Sequence, residues 1–184
     1  MLVATGLGFL AYPTWTDIRA SRTQHRLAKA FDARRTHRDV AKGTPRVGEP
    51  VTRILIPSIA VDALVVQGIT TQALQAGAGH YPETPLPGQP GNVALAGHRT
   101  TFGKPFSDLD RLTVGDTIVL VTPVGRYTYR VAQAPWVTDP ADWRVVGPVG
   151  PGGGSVLTLT TCTPRGSADQ RLVVRASLTS SAPA

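Results

Sequence analysis

Residues 157–174, LTLTTCTPRGSADQRLVV, decide how the rest of the chain is interpreted. Residues 157–161 are apolar or β-branched, which predicts a strand. Residues 163–170 are turn-forming and polar and predict a loop, after which a second strand begins. The sole cysteine, Cys162, therefore ends one strand and Arg171 starts the next. If the two strands are neighbours, both side chains lie at the same end of a sheet.

A thiol and a guanidinium at one sheet edge suit acyl transfer, because a thiolate attacks a carbonyl and a fixed cation stabilises the oxyanion. A general acid must still protonate the leaving amine, and His98 in the run AGHR is the candidate. A plainer interpretation stands beside this one. A lone cysteine at a strand end is commonly a small buried apolar residue, and an arginine at a strand start is commonly solvated.

Two motifs connect these residues to a known family. The run TLTTC, which ends at Cys162 and is followed by Arg171, resembles the sortase signature TLxTC…R, and residues 96–99, AGHR, resemble the strand end that carries the sortase histidine. The residues after the cysteine are most similar to class E sortases of high-GC Gram-positive bacteria. The resemblance implies an all-β fold, an eight-stranded sortase-type β-barrel with short helices, and this chain adds an N-terminal helical appendage.

The resemblance also implies a reaction. A sortase-like enzyme is a cysteine transpeptidase that cleaves a C-terminal sorting signal of surface proteins, here LAxTG-like, between Thr and Gly. Cys162 would form a thioacyl intermediate, His98 would move protons, and Arg171 would hold the oxyanion. The acceptor would be an amine of a cell-wall peptidoglycan precursor. No cofactor or metal is expected.

The same resemblance suggests three substrate-binding residues, Tyr81, Thr160 and Thr161. Tyr81 resembles a tyrosine that class E enzymes place beside the substrate, where it is linked to a preference for alanine in LAxTG. Thr161 matches the threonine of the family motif, and Thr160 occupies its variable position. Ordinary strand threonines and a loop-packing tyrosine explain the same residues.

Other functions stay open at this point. A hydrolysis-only cysteine peptidase would share every residue named, because water and amines attack the same thioester. An inactive sortase-like wall-binding barrel would lack a member of the Cys–His–Arg set, and all three are present. An L,D-transpeptidase would need a SHGC-type run at the thiol, which TLTTC does not supply.

Composition agrees with one β-rich domain. The 184 residues include 19 glycines and 16 prolines, which indicate many turns. The net charge of +7 is concentrated in residues 1–48, where nine basic and three acidic residues give +6. The nearly neutral remainder argues against nucleic-acid binding. Asp108, Asp110 and Asp116 are interpreted as solvated turn carboxylates rather than as a calcium site.

The chain divides into four predicted segments. Residues 1–15 begin with MLVATGLGFLAY, which is uncharged, mostly apolar and shorter than a full span, and predict part of a membrane anchor whose start is missing. Residues 16–50 predict a juxtamembrane helix and a linker, residues 51–178 the catalytic domain, and residues 179–184 a disordered tail. We therefore expect a single-pass membrane protein with an extracytoplasmic catalytic domain.

Local patterns place the elements around the motifs. Thr70 or Thr71 is a helix N-cap, and Gly77 ends the short helix that follows. Residues 92–96 predict a strand that leads to His98. Residues 117–122 and 126–132 predict a hairpin.

Overall fold

A computed structural model describes residues 2–37, 45–150 and 154–183. An N-terminal helix and a β-barrel make up these residues, with 3-10 turns at Pro57–Ile59, Leu109–Arg111 and Trp143–Val145. The helices are α1 (Leu2–His37) and α2 (Thr71–Ala76). The strands are β1 (Pro50–Ile56), β2 (Val61–Gln67), β3 (Ala78–His80), β4 (Gly91–Ala96), β5 (Thr117–Val121), β6 (Gly125–Val131), β7 (Trp136–Thr138), β8 (Ser155–Thr163) and β9 (Gln170–Pro183).

Helix α1 is continuous across the predicted boundary between residues 15 and 16. Its side chains Ala20 and Phe31 are each only 1% exposed, so this part of the helix packs against the barrel. The Gln24 side chain fastens it there, since its amide donates to the carbonyls of Leu64 and Ala76. In the described part of the chain, no helix is both long enough and apolar enough to cross a bilayer. Residues 41–44 of the predicted linker, which covers residues 41–50, lie outside the described residues.

The strands follow the order β6-β5-β1-β2-β3-β4-β8-β9, and β6 pairs with β9 to close the ring. The prediction of an eight-stranded β-barrel is confirmed. The short strand β7 pairs with β9 outside that ring. Most neighbours are antiparallel, whereas β2 with β3 and β4 with β8 are parallel.

The barrel interior is apolar because alternate residues of each strand point inward. Strand β8 shows this most clearly, since Leu157 and Leu159 are fully buried and pair in register with Val93 and Leu95 of β4. Further fully buried side chains come from other parts of the barrel; among them are Ile54, Ile56, Phe106, Leu109, Ile118, Leu120 and Tyr129. The opposite face of β8 is therefore free to carry polar groups.

The predicted short helix and hairpin are confirmed. The Thr70 hydroxyl accepts a hydrogen bond from the Ala73 amide at 3.2 Å, so Thr70 is the N-cap of α2. Strands β5 and β6 form the hairpin.

The prediction of a disordered tail is wrong for residues 179–183. They continue β9, and its last residues pair with β6 as far as Gly125 opposite Pro183. The polar Ser, Thr and Ala side chains mislead sequence interpretation because pairing at a barrel seam is made by backbone groups. Ala184 lies outside the described residues.

Candidate active site

Three adjacent strands bring the candidate residues into one row. Parallel pairing places Ala96 of β4 beside Thr160 of β8, and the Gly97 amide then donates to the Thr160 carbonyl at 3.1 Å. Extending this register by two residues places His98 opposite Cys162. On the other side of β8, Cys162 pairs directly with Arg171 of β9. Neighbouring strands lie about 4.8 Å apart, so the three residues occupy consecutive positions across the sheet edge.

Burial and an aromatic neighbour hold the His98 ring. Its centroid lies 5.1 Å from that of Phe102, with the planes tilted by 38°. Its Nε2 atom is buried without a hydrogen-bond partner among the described residues. Burial lowers the pKa of His98 below its ordinary value, because the charged form is poorly solvated there. The neutral imidazole is therefore favoured near pH 7, and a neutral ring can accept a proton.

The thiol and the guanidinium are both half-buried. Cys162 is a free cysteine near the carboxyl end of β8. Arg171 Nη1 donates to the carbonyls of Ala168 and Gln170 at 3.0 and 3.1 Å, which orients the side chain from its own loop. Within residues 45–150 and 154–183, no carboxylate lies within ion-pair distance of this guanidinium. A fixed cation that no carboxylate of the barrel neutralises is suited to stabilising an oxyanion.

Arg99 is a residue of this region to which the sequence interpretation gave no role. It is 7% exposed, and its Nη1 donates to Thr163 Oγ1 at 2.7 Å. Its Nη2 forms an ion pair with Asp110 at 3.0 Å. Arg99 follows His98 and Thr163 follows Cys162, so the hydrogen bond between them joins the two strand ends next to the candidate residues. Its signal in the sequence was only its place in the AGHR run, which does not reveal a partner 64 residues away.

The structure brings together two of the three predicted substrate-binding residues. The hydroxyls of Tyr81 and Thr160 are 3.1 Å apart, and Thr160 shares the outer face of β8 with Cys162 because both are even-numbered on one strand. Thr161 points to the opposite face. Its buried hydroxyl donates to the Gly97 carbonyl at 2.7 Å and so joins β8 to the chain just before His98.

A groove of about 720 Å³ begins at Tyr81. The Tyr81 ring meets the exposed Trp143 ring edge-on at 6.4 Å. The groove is mainly apolar, with the remaining lining from Ile69, Glu83, Thr84, Pro85, Pro90, Gly91, Asn92, Val146, Gly147, Pro148 and Val149. Its far wall is a loop held to the barrel, since Asn92 Nδ2 donates to the Val145 and Gly147 carbonyls. Thr160 and Cys162 are not among the residues that line this groove, and its connection to β8 is the hydrogen bond between Tyr81 and Thr160.

A closed β-barrel that carries a free thiol, a neutral histidine and a guanidinium on one rim is the arrangement of a cysteine enzyme. Comparisons with known proteins agree with it. The family model described as "Sortase domain" matches residues 54–179. Sortase SrtE1 of Streptomyces coelicolor is 32% identical over 190 residues, covering 95% of this chain and 54% of that protein.

Solved structures are similar as well. Sortase E of Streptomyces avermitilis superposes with a TM-score of 0.69 at 38% identity, covering 75% of this chain and 93% of that chain. Sortase E1 of Streptomyces coelicolor, solved with a tripeptide in the active site, superposes with a TM-score of 0.69 at 34% identity over 74% of this chain and 91% of that chain. The chain belongs to the sortase family. It spans 54%, 64% and 65% of the lengths of three curated relatives.

Proposed function

We propose that this protein is a cysteine transpeptidase that cleaves an LAxTG-like sorting signal between Thr and Gly and transfers the new carboxyl end to an amine of the cell wall. The observation that carries the proposal is the row of His98, Cys162 and Arg171 across three neighbouring strands. Each side chain has the chemistry that one step of acyl transfer needs. Membership of the sortase family supports the same reaction class.

The first half-reaction forms a thioester. The neutral His98 ring takes the proton of the Cys162 thiol, and the sulfur attacks the carbonyl carbon of the substrate threonine. The carbonyl oxygen becomes an oxyanion, which the Arg171 guanidinium stabilises. The C–N bond then breaks, and His98 returns its proton to the departing glycine amine.

The second half-reaction reverses these steps with a new amine. The incoming amine attacks the thioester carbon, and His98 removes the proton that the amine must lose. The C–S bond breaks and the Cys162 thiolate leaves. Water could enter in place of the amine, so the balance between transfer and hydrolysis depends on which nucleophile reaches the rim first.

We further propose that the peptide enters along the groove that begins at Tyr81. The groove is mainly apolar, which suits the apolar leucine and alanine of such a signal. The hydroxyl contact between Tyr81 and Thr160 would position the peptide backbone ahead of the thiol. Thr161 would contribute indirectly from the inner face of β8, because its hydrogen bond to the Gly97 carbonyl fixes the two strand ends relative to each other.

The experiment compares two quenched fluorescent peptides, one with LAxTG and one with LPxTG, with and without triglycine. Cys162→Ala is the control, because it removes the thiol and leaves the fold unchanged. We expect thiol-dependent cleavage that favours LAxTG, together with a new amide product when triglycine is present. Cleavage without amide product would instead support a hydrolytic peptidase. No cleavage of either peptide by the folded protein would refute the proposed substrate.

We also propose that the barrel works outside the cytoplasm and is held at the membrane by its N-terminal segment. Residues 1–12 are uncharged and mostly apolar, and from Leu2 onward they belong to helix α1, whose later part packs on the barrel. Fractionation of Gram-positive cells that express the chain with and without residues 1–12 tests this. We expect the shortened form to leave the membrane fraction, and an unchanged distribution would refute the proposal.

A further inference from the structure

The loop after His98 has an unusual backbone. Phe102, Gly103 and Lys104 all have positive φ values, of 51°, 77° and 46°. Only Gly103 adopts such a conformation freely, because the side chains of the other two crowd the backbone. Three successive residues of this kind keep their conformation only where neighbouring groups hold them.

The neighbouring groups come from the N-terminal helix. Asp17 Oδ1 of α1 accepts a hydrogen bond from the Gly103 amide at 2.9 Å, and Asp17 Oδ2 forms an ion pair with Lys104 Nζ at 2.9 Å. Gly103 also lies close to α1, since a Cβ atom on Gly103 would be in ordinary van der Waals contact with the Ala20 Cβ, at 3.4 Å. One carboxylate thus contacts two of the three left-handed residues.

The remaining residue of the three, Phe102, contacts the candidate catalytic histidine. Phe102 is 9% exposed and covers the His98 ring at 5.1 Å between centroids. The backbone gives a second connection, because the Phe106 amide donates to the His98 carbonyl at 3.2 Å. Contacts therefore run without a gap from Asp17 through the loop to the imidazole.

From these contacts we infer that Asp17 is a positioning residue for His98, and that the N-terminal helix is thereby part of the catalytic apparatus. By holding Gly103 and Lys104, Asp17 keeps Phe102 against the imidazole and keeps the ring in place beside Cys162. The inference rests on the proposed function for its effect on turnover. It makes a separate claim about the environment of His98.

The test uses the full chain and three variants. Asp17→Ala/Lys104→Met removes both contacts and keeps the local charge balanced. Lys104→Met alone removes the ion pair and leaves the hydrogen bond from Gly103 to Asp17. The difference between this variant and the double variant therefore gives the contribution of that hydrogen bond. Arg22→Ala changes an exposed residue of the same helix and is the matched control.

We expect the double variant to lose about tenfold in kcat with KM nearly unchanged, because a misplaced proton donor slows the chemical step more than binding. Lys104→Met should stay within about twofold, since an ion pair at the surface contributes little. Arg22→Ala should match the unaltered protein. A double variant with the kcat of Lys104→Met overturns the inference.

A second readout does not depend on activity. His98 is titrated by NMR in the unaltered protein and in the double variant, and its pKa should rise toward the ordinary value in the double variant as the Phe102 cover loosens. Asp17 and Lys104 are removed together because either charge left alone would itself shift the His98 pKa. An unchanged His98 pKa with a lowered melting temperature would show that α1 only stabilises the fold, which overturns the inference. This result is informative even if no sorting peptide is cleaved.

Discussion

Replacing the buried Arg99 with methionine tests how the two strand ends at the active site are held together. Methionine fills a similar volume and removes the guanidinium. The bond from Arg99 to Thr163, at 2.7 Å, joins a charged donor to a half-buried hydroxyl, and such bonds contribute about 1.5–3 kcal/mol. The ion pair with Asp110 adds little, because that carboxylate is 44% exposed and water solvates it when the cation is gone.

The expected loss for Arg99→Met is therefore about 2–3 kcal/mol of unfolding free energy. A barrel of roughly 130 residues unfolds with an entropy near 0.27 kcal/mol/K, so this loss lowers the melting temperature by about 7–11 °C. The transition is followed by far-ultraviolet circular dichroism at about 218 nm, where β-structure gives a negative band.

The matched control is Arg111→Met, which removes an exposed arginine from the turn that also contains Asp110. Its melting temperature should fall by no more than about 2 °C, since an exposed charge contributes little. If Arg99→Met and Arg111→Met melt within about 2 °C of each other, the buried arginine does not hold the two strand ends and the reasoning fails.

Three further outcomes are expected. Gly97→Ala should strongly destabilise the fold, because the new Cβ would lie 2.6 Å from the Phe106 ring; urea unfolding should show a lower midpoint, and an unchanged midpoint would contradict the packing. Tyr81→Phe and Thr160→Val should each raise the KM for the peptide by a few-fold. The double variant should raise KM little more than either single variant, since both remove the same hydrogen bond. Fully additive effects on KM in the double-mutant cycle would refute that. Deleting residues 179–184 should lower the melting temperature by several degrees, because it opens part of the β6–β9 seam, and calorimetry showing no change would indicate that the seam closes without them.

The strand patterns and the signature motif predicted much of the fold. The alternating residues of β8 and the Thr70 N-cap are local features, so a short window of sequence reveals them. Tail residues 179–183 were misjudged, because their pairing with β6 depends on backbone groups of a strand about 50 residues away. The predicted segment boundary after residue 15 lies inside one continuous helix, α1.

The sequence by itself determined the chemical identity of the candidate site: a thiol, an imidazole and a guanidinium at predicted strand ends. Tertiary structure alone decided what surrounds them. Arg99 meets Thr163 across 64 residues and Asp17 meets Gly103 across 86, and neither partner is marked by any local pattern. The pairing of β4 with β8 brings Arg99 near Thr163, and the packing of α1 against the barrel brings Asp17 to Gly103. The sequence gives the type of each side chain, whereas its contact partners depend on how the whole chain packs.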